Sequence, residues 1–462
     1  MKLEKFLQDN YNYNPEVKDN IKTYIEQWKS WYAGNVKSFH NYFIYNGQRK
    51  VNKKRFTLNM AKEISEDWAD ILWSEKCEIS LKNEESQKQF DELIDNLDLY
   101  TTITQAIEKS GALGTEVAVV SAYDIIKNED GMTLDVSNAK TRVNLVDVDW
   151  IFPLSWDNTG ITECAFGSVK YIGGQKYVVL SVHKINENTG NYVIYNHLFS
   201  ETNGNLTEVL GQEGTENEFD TQSNIKWFAP FKPLLTNNLF NDSPFGIPHY
   251  ANAIDVMKTV DIDFDAFKNE VKDGRRRTFA RAEMFNYDNG EQRLTFDPND
   301  TDIYMLPKGA NKDDLIQSDT DNLRVNEQIG ALNTSLNILG NKVGFENDHY
   351  KYDGARLQTA TAVIASNSKM FRRKKKLEIG YEAAIYDLAK AICYVSSTFG
   401  KYNINTDDMV VKFDDGVLED TESIANRAMR EVNAGLLSRV EYRTKVFRRN
   451  RRSGKTKNKT NR

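Results

Sequence analysis

The sequence predicts an α+β fold in which long helices surround an antiparallel sheet. In the first 110 residues, and again beyond residue 245, apolar residues recur every three or four positions, as on one face of a helix. Between residues 115 and 230 the apolar period changes to two, and tight turns separate the segments. Because turns this short join antiparallel neighbours, the pattern disfavours a doubly wound, nucleotide-binding sheet.

Three helices are predicted before the sheet. The tripeptide NPE at 14–16 is a helix start, with a capping side chain, a proline at the first helical position and an acid in the first turn. A second helix begins near Leu58, and a third ends at Gly111 or Gly114. The apolar faces of these last two helices are Ala61, Ile64, Trp68 and Ile71, and then Phe90, Leu93, Leu97 and Ile103.

Five segments of the middle region are predicted as strands. The sequences Gly173-Gly174 and ENTGN lie between them as turns. The strands are TEVAVVSAYD, RVNLVDVDWIFPL, ITECAFGSVKYI, QKYVVLSVHKI and NYVIYNHLF.

Long helices dominate the second half of the chain. Residues 246–272 and 322–345 each carry one apolar row, and the first helix is about 40 Å long at 1.5 Å per residue. Between them, residues 273–321 are predicted as a compact, turn-rich insertion with short strands. A glycine-containing loop at 346–358 precedes a helix of roughly 60 Å that begins near residue 359. A strand in DMVVKFDDG and two helices hinged at Gly435 follow.

One face of the helix at 322–345 carries asparagine instead of charge. Asparagine is a poor helix former, so its repetition in mid-helix needs a reason. Two interpretations stay open: an exposed face that happens to lack charge, or a neutral lining past which a charged ligand slides without forming ion pairs. The residues are Asn322, Asn326, Asn333, Asn337 and Asn341.

A basic run occupies residues 372–376. Five successive helical residues sweep about 400°, so the run cannot form one solvated face. Lys374 falls on the apolar row between Phe371 and Leu377, so it has to extend to solvent, pair with an acid or mark where the helix leaves the core. Repeated around a ring, the run forms a belt that suits DNA phosphates or a neighbour's acids. The belt residues are Arg372, Arg373, Lys374, Lys375 and Lys376.

Composition narrows the class of protein. The chain of 462 residues is 27% charged and 11% aromatic, which is typical of a folded protein. No run approaches the roughly 18 apolar residues of a membrane span, and the N terminus lacks the apolar core of a signal peptide. We therefore expect no membrane association. Three scattered cysteines (Cys77, Cys164 and Cys393) indicate a reducing compartment.

The net charge of −7 hides a basic tail. From Arg443 to Arg462 there are ten Lys and Arg and no acids, which leaves about −17 on the preceding chain. We expect this tail to be disordered and either to reach phosphates or an acidic partner, or to act as a solubilising segment.

The sequence lacks the common enzyme signatures. It contains no GxxxxGK[ST], no strand-bound GxGxxG, no HExxH and no GxSxG, and its five histidines lie far apart. Asp147 and Asp149, on the same side of a predicted strand, are the candidate pair for a two-metal nuclease. The acids at 261, 263 and 265 lie on a helix, where alternate residues diverge by about 200°, so they cannot all converge. We expect no catalytic residue, metal or cofactor.

Five segments, taken in order, carry a resemblance to a known family. They are LNMAKEISEDWADILWSE, GALGTEVAVV, VDVDWIFPLSWDNTGITECAFG, NDSPFGIPHYANAIDVMKTVDIDFDAF and DGARLQTATAVIASNSKMFRRKKK. With the order of elements, they resemble the portal proteins of tailed bacteriophages, in particular those of long-tailed phages of Gram-positive hosts. The resemblance covers nearly the whole chain and weakens after residue 420.

The resemblance implies a ring, usually of twelve subunits, at one vertex of the capsid in the virion, assembled in the host cytoplasm. Double-stranded DNA passes through it during packaging and ejection. The terminase large subunit docks on it, and capsid or scaffolding proteins and head–tail connector (adaptor) proteins attach to it. The residues expected along the DNA tunnel are Lys351, Gly354, Arg356, Gln358, Asn326, Asn333, Asn337 and Asn341.

Carried over by position, the resemblance also implies the portal domains: an α/β wing, a two-helix stem, a small α/β clip, a long wing-crossing helix and a helical crown. The ranges are 1–245 for the wing, 246–272 for the first stem helix, 273–321 for the clip, 322–345 for the second stem helix, 346–358 for the tunnel loop, 359–418 for the long helix and wing return, and 419–462 for the crown and basic tail.

Two alternatives from other classes remain. One is a metal-dependent DNA-processing enzyme, a nuclease using Asp147 and Asp149. The other is a monomeric nucleic-acid-binding protein that works through residues 443–462.

Overall fold

A computed structural model gives the structure of the chain. It describes residues 2–45, 49–74, 77–123, 139–202, 204–209, 218–273, 323–352, 368–399, 402–413 and 429–431, together with short strands at 126–127, 134–135, 277–280, 286–288, 293–295, 303–305 and 316–319.

Most of the helices lie where the apolar periodicity of the sequence predicts them. Short 3₁₀ turns occupy Val148–Trp150 and Ala251–Ala253. The α-helices are α1 (Leu3–Tyr11), α2 (Glu16–Tyr32), α3 (Lys37–His40), α4 (Met60–Leu72), α5 (Glu84–Asn96), α6 (Leu99–Leu113), α7 (Ile254–Asp273), α8 (Val325–Val343) and α9 (Ser368–Thr398).

The strands fall mainly in the predicted middle region. They are β1 (Asn41–Tyr45), β2 (Lys50–Lys54), β3 (Glu78–Ser80), β4 (Glu116–Tyr123), β5 (Ile126–Lys127), β6 (Leu134–Asp135), β7 (Lys140–Val146), β8 (Ile151–Asp157), β9 (Gly160–Ile172), β10 (Gln175–Ile185), β11 (Tyr192–Thr202), β12 (Asn205–Glu208), β13 (Glu218–Asp220), β14 (Phe228–Phe231), β15 (Arg277–Ala280), β16 (Asn286–Asp288), β17 (Arg293–Thr295), β18 (Ile303–Met305), β19 (Ile316–Asp319) and β20 (Val410–Lys412).

The mixture of helices and antiparallel strands confirms the α+β class. The middle region, predicted as one sheet, divides into two. One sheet has the order β12-β11-β10-β9-β8, with β13 also paired to β11, and the other has the order β14-β4-β7. The registers are antiparallel throughout both sheets.

The division arises inside the segment RVNLVDVDWIFPL, which was predicted as one strand. The 3₁₀ turn at Val148–Trp150 separates β7 from β8. A buried ammonium holds this turn, since Lys18 Nζ donates to the carbonyl oxygens of Asp149 and, at 3.2 Å, of Ile151. The Trp150 ring occupies the space above Gly167, where an added Cβ would lie 2.3 Å from it.

The predicted third helix is two helices. Asp98 adopts a left-handed conformation with φ of 46°, and this residue separates α5 from α6. Gly114, with φ of 85°, ends α6 as predicted, and its N–H donates to the Ser110 carbonyl at 2.7 Å.

The first long helix starts later than predicted. Residues 246–250 are not helical, and α7 begins at Ile254. The backbone N–H groups of this stretch bond to α6 and its end instead: Gly246 N donates to Thr115 Oγ1 and His249 N to the Gly111 carbonyl, both at 2.9 Å. The predicted start of the last long helix, near residue 359, lies outside the described residues, and so do the two helices predicted around Gly435 apart from residues 429–431.

One hydrophobic core joins the helical layer to the smaller sheet. Side chains of α2, α4, α6, α7, α8 and α9 pack with β4 and β14 in a single cluster. A second, smaller cluster forms where α1 covers the larger sheet through Phe6 and Leu7. Within the described part of the chain, no helix has the length and apolar character needed to cross a membrane.

Candidate nucleic-acid and assembly surfaces

The antiparallel helices α7 and α8 form the frame on which the predicted tunnel residues lie. The three alternate acids of α7 diverge, as their spacing predicts. Asp263 faces α8 and accepts from Ser335 Oγ at 2.5 Å. Asp261 and Asp265 face the other way and accept from the backbone N–H groups of Leu58 and Phe56 at 3.0 and 3.1 Å. These acids therefore act as structural acceptors.

The asparagine face of α8 binds the loop that follows the helix (residues 344–352). Asn337 Oδ1 accepts from Asp348 N at 2.7 Å, and Asn333 Oδ1 accepts from Tyr352 N at 2.9 Å. The Asn341 amide donates to the side chain of Asn347. These three asparagines are half-buried, whereas Asn326 is exposed. Asn322 lies outside the described residues.

Aromatic stacking fixes the same loop to the helical layer. The Phe345 ring stacks between the rings of Trp68, at 4.8 Å, and His349, at 4.2 Å. His349 Nε2 lies 3.1 Å from Asp67 Oδ2 on α4. Lys351, the predicted tunnel cation, is exposed at the end of the described loop. The predicted tunnel residues Gly354, Arg356 and Gln358 lie outside the described residues.

The basic run of α9 faces three different environments. Lys374 is 1% exposed and its Nζ lies 3.1 Å from Glu378 Oε1. The Lys375 ammonium lies 3.1 Å from the other oxygen of the same carboxylate. Pairing with an acid is therefore how the chain accommodates Lys374 on its apolar row. Arg372 and Lys376 are exposed, so only the ends of the run point fully to the surface.

Arg373 points inward instead. Its guanidinium lies 5.9 Å from the Trp68 ring, and its side chain fills the space beside Gly344, where an added Cβ would lie 2.1 Å from Cδ. Burial lowers the pKa of Arg373 to about 10. Burial, together with the nearby Arg373 charge, lowers the pKa of His249 well below its ordinary value, so that imidazole is neutral at pH 7.

The candidate nuclease pair lies on the surface of the 3₁₀ turn and not on a strand. Asp147 and Asp149 both contact Lys29, at 3.1 and 2.5 Å. An ion-paired lysine occupies the place between the two carboxylates where a metal would bind. Within the described part of the chain, no group of three or more His, Cys, Asp or Glu side chains is arranged to hold a metal ion.

The hairpin formed by β1 and β2 was not among the elements predicted from the sequence. Phe43, Ile44 and Tyr45 are exposed on it. Part of the signal was present in the sequence, because Asn-Gly at 46–47 is a hairpin turn pattern, but the second strand contains a single strong strand former, Val51. The buried Lys18 was also missed, since a lysine near a helix start gives no sign of burial. Burial lowers the pKa of Lys18 to about 8.

The profile of the family described as "Phage portal protein, SPP1 Gp6-like" matches residues 13–453. No curated protein matches. One solved structure that matches is entitled "Neck of native GTA particle computed with C12 symmetry"; it is 11% identical, with a TM-score of 0.36, over 83% of this chain and 87% of that chain. Because the family profile extends over nearly the entire sequence, the chain belongs to the SPP1 Gp6-like family of phage portal proteins.

Proposed function

We propose that the chain assembles into a ring, of twelve copies as is usual in the family, and that the ring is the channel for double-stranded DNA at one capsid vertex. The family match over residues 13–453 carries this proposal. The match includes both helices of the α7–α8 frame, the basic run of α9 and both sheets, and of the described helices only α1 lies outside it.

The charges around α8 suit a conduit. Affinity for DNA grows with each phosphate that a protein neutralises, so a channel that must release DNA needs few cations at its wall. From Val325 to Val343 the chain carries one cation, Lys342, and a half-buried row of asparagines. The exposed cations near this frame include Lys351 in the loop and Arg372 and Lys376 on α9. We assign them to transient phosphate contact.

The remaining partners follow from the same role. The proposed ring is part of the virion, docks the terminase large subunit during packaging, contacts capsid and scaffolding proteins at its rim and receives the head–tail adaptor proteins below. In this role the chain acts as a passive conduit without catalytic residues.

Light scattering of the purified chain tests the proposal. The proposed ring has a mass of about 640 kDa for twelve copies of a 53.1 kDa chain. A chain ending at residue 442 should form the same ring, because the basic tail is not needed for assembly. A persistent monomer whose DNA binding disappears with the tail would favour the nucleic-acid-binding alternative, and metal-dependent DNA cleavage by a monomer would favour the nuclease.

A further inference from the structure

The β1–β2 hairpin is a short arm that leaves apolar side chains in water. Phe43, Ile44 and Tyr45 are 50%, 39% and 72% exposed. The strands pair only with each other, from Asn41 opposite Lys54 to Tyr45 opposite Lys50, and no third described strand joins them. An isolated two-stranded hairpin is marginally stable in water, and clustered exposed apolar side chains mark contact sites.

The arm is strongly basic, and its base is fixed. From Asn41 to Arg55 the sequence has five Lys and Arg and no acid. Lys50 Nζ lies 3.7 Å from the centre of the Phe43 ring. At the base, the Tyr42 hydroxyl donates to Asp265 of α7 at 3.1 Å. The structure therefore holds one end of the arm and leaves its aromatic end free to contact another molecule.

A groove between α9 and β20 has the complementary properties. Its volume is about 440 Å³. The apolar side chains of Ile379 and Val410 on its rim are 64% and 47% exposed. The acids Glu382 and Asp387 line it, and Asp387 lies 2.9 Å from Lys226. The strand β20 pairs with β3 on one side, and no other described strand pairs with its opposite edge.

We propose that the hairpin of one copy docks in the α9–β20 groove of a second copy, with its aromatic side chains on Ile379 and Val410 and its lysines beside Glu382. The inference rests on the proposed ring, in which every copy offers one arm and one groove. Two different complementary patches on the same chain generate a head-to-tail contact, which closes into a ring when the rotation suits. The basic arm and the acidic groove also oppose wrong pairings, because like charges in contact repel.

Engineered cysteines test this contact directly. The native cysteines are buried, so a chain carrying Tyr45→Cys and Val410→Cys has two accessible thiols. A disulfide requires the two Cα atoms to approach within about 7 Å. We expect mild oxidation of the assembled ring to give covalent dimers and higher multimers on a non-reducing gel. The matched control combines Val410→Cys with Val169→Cys, which is 38% exposed on β9 and should give none.

Charge reversal gives an independent readout. Arg49→Glu with Lys50→Glu, at the free end of the arm, should raise the concentration of half-assembly about tenfold, equivalent to ~1.4 kcal/mol. Adding Glu382→Lys to that variant should restore most of the loss. Rings that form without the 45–410 cross-link overturn the inference and leave the proposed function standing. A cross-link confined to single chains also overturns it, whereas a wild-type chain that never forms rings contradicts the proposed function itself.

Discussion

Lys374 and Glu378 show at the scale of single residues how a basic run is built into a core helix. One carboxylate, 5% exposed, balances two ammonium groups one turn away. Breaking a buried pair by neutralising one partner leaves the other charge without compensation and costs about 3–5 kcal/mol, whereas replacing both with apolar groups of similar volume is often neutral.

We therefore predict that Glu378→Gln lowers the free energy of unfolding by about 3 kcal/mol or more. Lys374→Met combined with Glu378→Met should regain most of this loss. Urea unfolding of the variants measures both effects. Glu92→Gln, an exposed acid on α5, is the control and should stay within about 0.5 kcal/mol of the wild type. An equally small effect of Glu378→Gln would contradict the pairing.

Glu116, at the start of β4, is a second residue whose protonation state affects stability in a way that can be measured. It is fully buried, 3.4 Å from Lys109, and burial raises its pKa to about 8. A raised folded pKa means that the folded state binds a proton that the unfolded state has released. The stabilisation is complete below the ordinary pKa of a glutamate and is lost as the pH rises through about 8.

Replacing the Glu116 carboxyl with a neutral amide should remove its contribution to the pH dependence of stability. We predict that the stability of Glu116→Gln varies less between pH 4.5 and 8 than the stability of the wild type, by an amount on the order of a few kcal/mol. Unfolding midpoints measured across this range provide the test, with Glu92→Gln again as the exposed control. Parallel curves for wild type and Glu116→Gln would show that Glu116 is ionised in the folded chain.

At the scale of elements, the asparagine face of α8 is explained by the loop that it binds. Asn333 and Asn337 accept hydrogen bonds from backbone N–H groups that would otherwise lack helical partners. This gives the repeated asparagines a structural role, which was not among the two interpretations open from sequence. The neutral lining stays a prediction, now centred on the exposed Asn326 and on the loop itself.

We predict that Asn337→Ala frees this loop without unfolding α8. Amide hydrogen exchange at Asp348 should accelerate by about tenfold, because its acceptor is lost, a change worth ~1.4 kcal/mol. Asn326→Ala, on the same helix but exposed, should leave that exchange rate unchanged. Equal rates in both variants would show that the Asn337 bond does not hold the loop.

The elements also show how far sequence reasoning reaches. Periodicity predicted α7 and α8, and four of the five middle strands, because apolar spacing directly reflects burial. Periodicity failed where local backbone geometry decides the structure. The left-handed conformation of Asp98 splits a predicted helix, and the Lys18 ammonium holds the turn that splits a predicted strand. The pairing of Lys374 with an acid was among the expected outcomes, whereas the partner, Glu378, could be identified only from the structure.

At the scale of the whole molecule, we propose that the chain assembles with copies of itself through surfaces on the folded subunit. The α7–α8 frame, the loop of residues 344–352 and the exposed ends of the basic run lie together, while the hairpin arm and the α9–β20 groove offer complementary contacts. The family and the α+β class could be predicted from sequence because several ordered segments carry them. The hairpin contact could not, since it depends on surfaces that exist only once the chain has folded.

Introducing negative charge near the proposed channel should change DNA packaging and ejection without changing ring assembly. We predict that Asn326→Asp, at the exposed asparagine of the α8 face, leaves the ring intact but changes the amount of DNA packaged and ejected, because an added carboxylate repels phosphates. Electron micrographs of the rings and a nuclease-protection assay of packaged DNA measure the two properties separately. Normal packaging by this variant would mean that the α8 face lies away from the DNA path.

Single-particle imaging of the purified chain tests the central claim most directly. We predict a closed ring with an axial pore wide enough for duplex DNA, with α7 and α8 around the pore and the loop of residues 344–352 facing it. A solitary globular particle, or a ring in which the α8 loop faces outward, would contradict it.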